Sequence, residues 1–528
     1  MSYPLSQGGL AVKKIGMLLA SVLIMGTALA GCGSDGNSNS GSAGSGSTGG
    51  SPAASGSAAK DDHSKKLSLT MMVSTAAGGG WTDDHPMVKY LNDKFNVDLK
   101  FQWVPGDSYN EKLNVLAASN DFPDVFQIWD ASTYSKWMKK GVFLDLKPIL
   151  SDYPNIVNNV TDEALAMMNP KDKVYGLPMY APAFRSNLSI RQDWLDKLGL
   201  KTPETVDEFY QVAKAFTTED PDGNGKQDTI GFSMSISTAG EIIGIDYLKG
   251  AFGLANAWKL EDGKLVPQQT QTEEWKALAT YLRQAYADGV LDKDFAVNKE
   301  RDPWNKLEGN TNGIAEVNPN EVYKQSLPVL QKLAPEADIV QLAPPAGPTG
   351  IRAANTITST TKIVLNAKLS EEKQQRILEI IDYMFSDEGY LWSKNGIEGI
   401  HYEKNGDTYE KLDAFDSDRP QILSTWFIRR FDPSIQIRLW DEQEYADKVM
   451  AWFENTEPYR WTNPAAGLIS ETYSKSGIQL DQKFTAAIVK VITGSEPVES
   501  IDAASKAWLA GGGDKIIEET NALYAELN

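Results

Sequence analysis

An acidic, glycine-punctuated loop near the middle of the chain has the spacing of a cation site. Polar side chains stand there at alternate positions, at Asp220, Asp222, Asn224, Lys226 and Asp228. A hard cation such as calcium takes six or more oxygen ligands from a flexible loop. The spacing therefore predicts a structural calcium ion. The alternative is an ordinary surface turn, because Asp, Asn, Pro and Gly all favour turns.

The loop is not a complete EF-hand. The twelfth position counted from Asp220 is Gly231, where a bidentate Glu would normally stand. A helix precedes the loop, because Thr205 and Glu208 fit a capping box and are followed by apolar residues at helical spacing. The helix and the loop together form one predicted unit.

The second chemical signal is aromatic: the chain has 14 Trp, 20 Tyr and 17 Phe. Sugar rings stack their C–H faces on aromatic side chains, and concave sites with aromatic walls and a few placed polar groups suit them. Most aromatic residues must nevertheless be core. Four tryptophans in helical patterns are predicted to be buried: Trp194, Trp275, Trp392 and Trp508. Three others lie in loops or at strand ends and are candidates to face a ligand: Trp81, Trp129 and Trp304.

The sequence contains few of the residues and motifs that commonly carry out catalysis. The histidines are His63, His85 and His401, and Cys32 is the single cysteine. The sequence contains no zinc spacing, no phosphate loop and no Gly-x-Ser-x-Gly elbow. Glycoside hydrolysis needs only two carboxylates, and 71 acidic residues leave it open. We expect a protein that binds rather than an enzyme.

The first 31 residues read as an export signal. Lys13 and Lys14 precede a short apolar run that ends in Leu-Ala-Gly before Cys32. This lipobox predicts that Cys32 is lipidated and anchors the protein to a membrane. A transmembrane helix is excluded by length, because spanning needs about 20 apolar residues. Residues 32–66 are rich in Gly and Ser and are predicted to be a flexible tether.

From Leu67 the chain alternates strand and helix patterns. Strands are predicted over 67–74, 97–104 and 122–130, with helices over 87–95 and 108–119 between them. This alternation predicts a mainly parallel sheet that is covered on both faces. Ligands bind such sheets beyond the carboxyl ends of the strands. The formal net charge of −20 disfavours nucleic acid as a partner.

Residues 190–216 (IRQDWLDKLGLKTPETVDEFYQVAKAF), followed by DPDGNGKQD at 220–228, carry a family resemblance. They resemble the extracellular solute-binding lipoproteins of carbohydrate ABC importers, in particular the long Gram-positive members and their alginate-oligosaccharide-binding relatives. The resemblance extends from about Leu67 to the C-terminus, and GIEGIHY at 396–402 is similar to a family signature. In such relatives an acidic residue after the last Asp of the loop helps to hold calcium, and here that place is Thr229.

The resemblance implies an α/β, two-lobed, periplasmic-binding-protein-like fold with interleaved lobes, a hinge and a ligand cleft between them. Lobe 1 would comprise residues 67–180 and 360–400, and lobe 2 residues 181–359 and 401–528. It places Trp129 and Asp130 where related proteins stack and hydrogen-bond a sugar ring. Further candidates for the opposite side and the crossing turns are Phe184, Arg185, Asn318 and Glu398. Arg185 would suit a carboxylate-bearing sugar, or it forms a surface ion pair.

The expected function is a lipid-anchored, monomeric receptor at the extracytoplasmic face of a Gram-positive cell membrane. It would capture a carbohydrate, such as an oligosaccharide, and deliver it to the permease subunits of an ABC importer. Two alternatives stay open at this point. One is a receptor or sensory lipoprotein for peptides or other solutes, and the other is a lipid-anchored glycoside hydrolase or lyase.

Overall fold

The computed structural model describes residues 62–75, 80–129, 131–179, 184, 187–357, 361–423, 430 and 432–527. The chain divides into two units, residues 1–59 and 60–528, and every described residue belongs to the second unit. The predicted signal peptide, Cys32 and nearly all of the tether lie outside the described residues. Two predicted ligand-binding residues, Asp130 and Arg185, also lie outside them.

The described residues contain strands in two larger sheets and several two-stranded ones. In chain order the strands are β1 Leu67–Thr75, β2 Val97–Pro105, β3 Val125–Ile128, β4 Gly176–Pro178, β5 Asn187–Arg191, β6 Ile230–Phe232, β7 Ser235–Ile236, β8 Ile242–Ile243, β9 Trp258–Glu261, β10 Lys264–Pro267, β11 Asn312–Val317, β12 Ile339–Gln341, β13 Ala354–Asn355, β14 Lys362–Leu365, β15 Tyr402–Asn405, β16 Thr408–Lys411 and β17 Arg460–Trp461.

The α-helices surround these sheets. They are α1 Pro86–Phe95, α2 Gly106–Ser119, α3 Ala131–Lys139, α4 Pro154–Asn159, α5 Asp162–Ala166, α6 Gln192–Leu198, α7 Val206–Thr218, α8 Asp246–Ala251, α9 Thr272–Ala287, α10 Asp302–Glu308, α11 Pro319–Glu321, α12 Leu327–Leu330, α13 Glu371–Phe385, α14 Asp387–Asn395, α15 Asp413–Leu423, α16 Gln443–Thr456, α17 Ile478–Ile492, α18 Ser500–Trp508 and α19 Asp514–Leu527. Within the described ranges, every helix is too short or too polar to span a bilayer.

The sheet of lobe 1 has the strand order β2-β1-β3-β14-β4. β1 pairs in parallel with both β2 and β3, whereas β14 runs antiparallel to β3 and to β4. Four of the five strands therefore share one direction. The predicted mainly parallel sheet is confirmed, and β14 is its one reversed strand.

Both faces of this sheet are covered, as the alternation predicted. Successive side chains of a strand point to opposite faces. Met71 and Val73 belong to one hydrophobic cluster with α1 and α13, whereas Met72 belongs to a second cluster with Tyr109 and Phe126. The helices α1 and α2 that follow β1 and β2 supply these covers, and His85 begins α1 by accepting a hydrogen bond from the Met87 backbone N–H at 3.2 Å.

The sheet of lobe 2 has the strand order β12-β5-β11-β6. Helix α7 covers one face through Phe209 and Phe216, which lie in the same buried cluster as Phe232 of β6. The capping box at the start of α7 is confirmed: Thr205 accepts from the Glu208 N–H, and Glu208 accepts from the Thr205 N–H. The C-terminal helices α17 and α18 pack on this same cluster.

The two sheets interleave in sequence. The chain leaves the first sheet after β4 and forms the strands of the second sheet. It then returns to the first sheet, where β14 pairs with β3. β14 and the helix that follows it, α13, therefore belong to the first sheet and its cover, as the interleaved lobes of the resemblance imply. At the C-terminus, Glu526 of α19 accepts hydrogen bonds from Ser135 and Lys139 of α3, each at 2.7 Å. This contact ties the C-terminal helix to lobe 1.

Candidate functional site

A cavity of about 870 Å³ lies against lobe 2 and the C-terminal helices. Its lining comes from the β7–β8 hairpin, α8, the start of α10, β11, the crossing segment around Asn355 and the stretch from Asn463 to Thr520. The volume is in the range of small-molecule sites, which bury most of a ligand in a concave pocket.

The aromatic residues of the lining are Trp258, Trp275, Trp304, Tyr473, Phe484 and Trp508. Of the tryptophans, Trp258 and Trp304 are half-buried, whereas Trp275 and Trp508 are buried. The Trp304 indole N–H donates to the backbone oxygen of Glu316 at 2.8 Å, and the Arg301 guanidinium lies over the Trp304 ring at 4.5 Å. Trp258 begins β9 and lines the same cavity. The hydrogen bond and the stacked guanidinium fix the orientation of Trp304. The cavity thus has aromatic surface that is already oriented for a flat apolar partner.

A charged group adjoins this aromatic surface. Lys249 contacts Asp246 at 2.5 Å one turn along α8, and the Asp246 backbone N–H donates to Glu316 at 2.8 Å. Burial opposes the charged form of Lys249, but the carboxylates of Asp246, Glu316 and Glu241 together outweigh it and raise the lysine's pKa. Lys249 and Asp246 therefore form an ion pair, with the Glu316 carboxylate beside it. The two carboxylates can accept hydrogen bonds from ligand hydroxyl groups.

Another carboxylate, Asp481 of α17, lies among three uncharged donors. It accepts from the Trp508 indole N–H at 2.8 Å, from Tyr473 at 3.0 Å and from Gln269 at 2.8 Å. Burial raises the pKa of Asp481. These bonds join α17, α18 and the segment before α9, and so hold one side of the cavity in place.

The edge of the cavity reaches lobe 1. Leu468 lines the cavity and also packs against the lobe 1 cluster that contains Tyr109 and Phe126. Trp129, at the end of β3, is half-buried against the same cluster, with its ring 4.6 Å from that of Tyr109. Trp129 therefore stands at the carboxyl end of a lobe 1 strand, on the cluster that the cavity touches.

The other residues predicted to bind ligand are placed differently. Trp81 is only 3% exposed, and its ring is surrounded by Phe101, Trp103 and Trp392, so it is a core residue of lobe 1 and not a cavity residue. Phe184 is 5% exposed and packs against Trp452.

The two predicted turn residues have local roles. Asn318 begins α11 by accepting a hydrogen bond from the Asn320 backbone N–H at 2.9 Å. Glu398 is exposed in the turn after α14, bridged to Tyr402. Neither lines the cavity. Of the predicted ligand-binding residues that the structure describes, Trp304 lines the cavity, and Trp129 packs on the same hydrophobic cluster as Leu468 of the lining.

The acidic loop folds around Asn224. Its side-chain nitrogen lies between two carboxylates, donating to Asp222 at 2.8 Å and to Asp228 at 3.0 Å. Asp220 accepts from the backbone N–H groups of Asn224 and Gly225. Burial, together with the neighbouring carboxylates, raises the pKa of Asp222. The loop thus concentrates negative charge that is partly balanced by N–H donors.

The structure also explains why the twelfth position of this loop is glycine. A Cβ on Gly231 would stand 2.5 Å from the backbone oxygen of Ala213 in α7. A glutamate cannot occupy this position without moving the helix. Thr229 is also unavailable as a ligand, because its hydroxyl is buried and donates to the Phe216 backbone oxygen at 2.7 Å.

As the loop stands, its carboxylates do not converge on one point. Among the residues that the structure describes, no group of three or more His, Cys, Asp or Glu side chains has the geometry to hold a metal ion. The oxygen-rich donor set is nevertheless the type that calcium prefers. Asn224 already holds a donor nitrogen between two carboxylates, which is a position where a cation would be stabilised.

Comparison with known proteins identifies the family. Residues 78–390 match the model of the family described as bacterial extracellular solute-binding protein. This chain belongs to that family. The matched range contains all strands of the first sheet except β1, and all four strands of the second sheet.

Two curated relatives extend the match of this solute-binding protein over most of its length. It is 30% identical to Lipoprotein LipO of Bacillus subtilis (strain 168), over 84% of this chain and 89% of LipO. It is 27% identical to the polygalacturonan/rhamnogalacturonan-binding protein YtcQ of the same strain, over 97% of this chain and 98% of YtcQ.

Solved structures share the fold. One is described as an HMO-binding, ABC-transporter-associated solute-binding protein from Bifidobacterium longum infantis ATCC 15697, with a TM-score of 0.67 and 17% identity over 87% of this chain and 98% of that one. Another is an EF-hand mutant of the Streptococcus pneumoniae substrate-binding protein FusA, in complex with fructo-nystose, with a TM-score of 0.55 and 17% identity over 87% and 99%. The two-lobed α/β fold of the solute-binding proteins is thereby confirmed for this chain.

Several lining residues were not found from the sequence. Trp258 follows from no motif, although Asp262-Gly263 marks the hairpin that carries it. Glu316 had a signal, since it is an acidic residue within the apolar strand β11. Asp246 and Lys249 had none, because their placement depends on contacts between α8 and β11.

Proposed function

We propose that this solute-binding protein is the receptor of a carbohydrate ABC importer and captures an oligosaccharide. The observation that carries the proposal is the cavity of about 870 Å³, in which the oriented Trp304 ring adjoins the Asp246, Lys249 and Glu316 group. Aromatic faces stack on the C–H patches of sugar rings, and carboxylates accept hydrogen bonds from sugar hydroxyls. Relatives described as sugar-binding proteins support the same conclusion.

The ligand lies between Trp304 on lobe 2 and Trp129 on lobe 1 in this proposal. Asp130 and Arg185, which follow β3 and the first crossing in sequence, are proposed to complete the site. Closure about the crossings would bring the two walls together, as hinge motions do in periplasmic binding proteins.

We further propose that the protein is anchored by lipid on Cys32 at the extracytoplasmic face of a Gram-positive cell membrane. The lipobox before Cys32 and the similarity to a protein described as a lipoprotein support this anchor. The receptor acts as a monomer and passes its ligand to membrane permease subunits. The Gly- and Ser-rich tether, with a reach of roughly 30 Å, lets the lobes move near the membrane surface.

We also propose that the acidic loop binds a structural calcium ion. Asp220, Asp222, Asn224 and Asp228 supply the side-chain oxygens, and the backbone oxygen at Lys226 takes the position that a carbonyl fills in EF-hand loops. The hydrogen bonds from the Asn224 side-chain nitrogen to both Asp222 and Asp228 support the site, as does the EF-hand described for FusA. The ion would tie the end of α7 to β6.

The function is tested on the soluble protein from Lys66 onward with a panel of oligosaccharides. Tryptophan fluorescence is followed during titration, and the sugar from the same sample is then chromatographed. We expect a saturable change in fluorescence with the sugar recovered intact. Shortened sugar would identify an enzyme instead, and a response to peptides alone would identify a peptide receptor.

A further inference from the structure

The charges that line the cavity are strongly unequal. Among the described residues, six carboxylates and two cations line it: Glu241, Asp246, Glu300, Glu316, Glu321 and Asp481 against Lys249 and Arg301. A concave site lined by one sign of charge focuses its field on whatever enters. Arg185 and Asp130, which the proposed function adds to the site, carry opposite charges and leave this excess of carboxylates unchanged. A ligand in this cavity therefore experiences a negative potential.

Both cations already have carboxylate partners. Lys249 contacts Asp246 at 2.5 Å, so its charge is balanced within α8. Arg301 pairs with Glu308 at 2.8 Å while its guanidinium covers the Trp304 ring. A carboxylate on a ligand would have to compete with these partners. It would also enter beside Glu316, which is only 8% exposed.

The uncharged polar groups of the lining suit hydroxyl groups. Ser235 lines the cavity, and its buried hydroxyl has no hydrogen-bond partner among the described residues, so rotation about the Cα–Cβ bond would bring it to a ligand. The side-chain oxygen of Asn355, on the crossing segment, likewise has none in that part of the chain. A sugar hydroxyl can both donate and accept, whereas a carboxylate can only accept. Carboxylate and amide oxygens in a cavity wall therefore recognise hydroxyls and repel carboxylates.

We infer that this cavity selects oligosaccharides built from uncharged sugar residues and excludes those that carry uronates. The inference rests on the proposed function, because it names the class of carbohydrate that the receptor takes. It also separates this chain from YtcQ, which is described as a polygalacturonan- and rhamnogalacturonan-binding protein. Like charges that meet across an interface suppress the wrong partner, and this is how the carboxylates act here.

The test uses matched pairs of trisaccharides that differ in the carboxylate at C6. The pairs are α-1,4-galactotriose with trigalacturonate, β-1,4-mannotriose with trimannuronate, and cellotriose with β-1,4-triglucuronate. Affinity for the soluble protein from Lys66 onward is measured by calorimetry at low and at high salt. We expect a neutral member to bind at least about tenfold more tightly than its uronate partner. Salt should narrow the difference, because it screens the repulsion.

Charge variants give the second readout. Glu241→Gln with Glu300→Gln neutralises two exposed carboxylates of the lining, and we expect the affinity ratio between neutral and uronate members to shrink. The matched control, Glu403→Gln with Glu410→Gln, removes the same charge from the exposed β15–β16 hairpin outside the lining. It should leave the ratio unchanged.

The outcomes separate the two proposals. Tighter binding of any uronate member than of its neutral partner would overturn this inference while leaving a carbohydrate receptor in place. An equal shift of the ratio in the control variant would also overturn it. Absence of binding by all six trisaccharides, and by the wider oligosaccharide panel, would overturn the proposed function and this inference with it.

Discussion

At the residue scale, the role of each tryptophan depends on neighbours that are distant in sequence. Trp81 and Trp304 both lie outside regular strands, and nothing in their local sequences separates them. The structure places Trp81 against Trp392 of α14, which only the return of the chain to lobe 1 brings near. Trp304 instead bonds to β11 and lines the cavity. Tertiary contacts therefore give different roles to two tryptophans that local sequence does not distinguish.

Replacing Trp304 or Trp129 should impair sugar binding while the protein still folds. We expect Trp304→Ala to weaken binding of the responding sugar at least about tenfold, because the stacking surface is lost. Trp129→Ala should abolish binding, with some cost in stability because its ring packs on Tyr109. Calorimetric titration measures the affinity, and urea denaturation measures the free energy of unfolding.

Trp81→Ala is the control for the two cavity variants. Deleting a large core aromatic costs about 3–5 kcal/mol, so its free energy of unfolding should fall while the folded fraction still binds. Unchanged affinity in both Trp304→Ala and Trp129→Ala would show that the sugar binds elsewhere.

Lys362 should make stability depend on pH. It is fully buried in β14 and donates to the Ala164 backbone oxygen at 3.0 Å, and burial lowers its pKa to about 7. The folded-state pKa of Lys362 lies below its unfolded-state pKa. At pH values between the two, the lysine is protonated in the unfolded chain and neutral in the folded chain. The cost of burying Lys362 is thus fully present below about pH 7 and falls away as pH rises toward about 10.

Lys362→Met isolates this contribution. At about pH 6.5 the variant should have a free energy of unfolding that is a few kcal/mol higher than that of the wild type, because no charge is buried. The lost hydrogen bond to Ala164 reduces this gain by about 1 kcal/mol. The difference should shrink steadily by about pH 9.5. Urea denaturation at several pH values measures it, and a difference that is constant with pH would contradict the assigned burial cost.

At the element scale, the regular elements of both lobes follow from local sequence patterns. The alternating run at β2 in lobe 1 and the capping box of α7 in lobe 2 are local signals, and both appear at the expected places. The cavity lining depends instead on short strands such as β7 and β8, which have two residues each and no period to detect. Gly231 shows the same limit, because only the contact with Ala213 explains its small size.

Calcium should stabilise the loop between α7 and β6. If the ion binds only the folded protein, a hundredfold excess over Kd adds about 2.7 kcal/mol, which raises the melting temperature by a few degrees. Asp220→Asn with Asp222→Asn should remove this response. Asn is chosen because Asp220 has φ 50°, in the left-handed region that Asn tolerates and Ala does not. Calorimetric melting with calcium and with a chelator measures the effect.

The control for the calcium loop removes two acidic residues elsewhere. Asp172→Asn with Asp407→Asn changes two exposed side chains outside the loop and should keep the full calcium response. A wild-type protein with the same melting temperature in calcium and in chelator would show that the loop is an ordinary turn.

At the scale of the whole molecule, the first sheet is built from segments that are not consecutive in sequence. Any movement of one sheet relative to the other must therefore bend the chain segments that connect them. The cavity lies on lobe 2 and the C-terminal helices, and its edge touches lobe 1 through Leu468. The C-terminal helix α19 also contacts lobe 1 through Glu526. The sequence alone could not place the C-terminal helices against the cavity, because their pattern indicates only that they are helices.

Ligand binding should make the molecule more compact. Closure of two lobes around a sugar brings their centres together, so the radius of gyration from small-angle scattering should fall when the responding oligosaccharide is added. A non-binding trisaccharide of the same size is the control. An unchanged radius of gyration at saturation would mean that the sugar binds to one lobe without closure.

A crystal structure of the protein from Lys66 onward with its responding oligosaccharide would test the proposed binding site. We expect sugar rings inside the cavity, with one ring stacked on Trp304 and hydroxyls within hydrogen-bond distance of Asp246 or Glu316. A sugar bound outside this cavity, with Trp304 making no contact to it, would show that the proposed site is wrong.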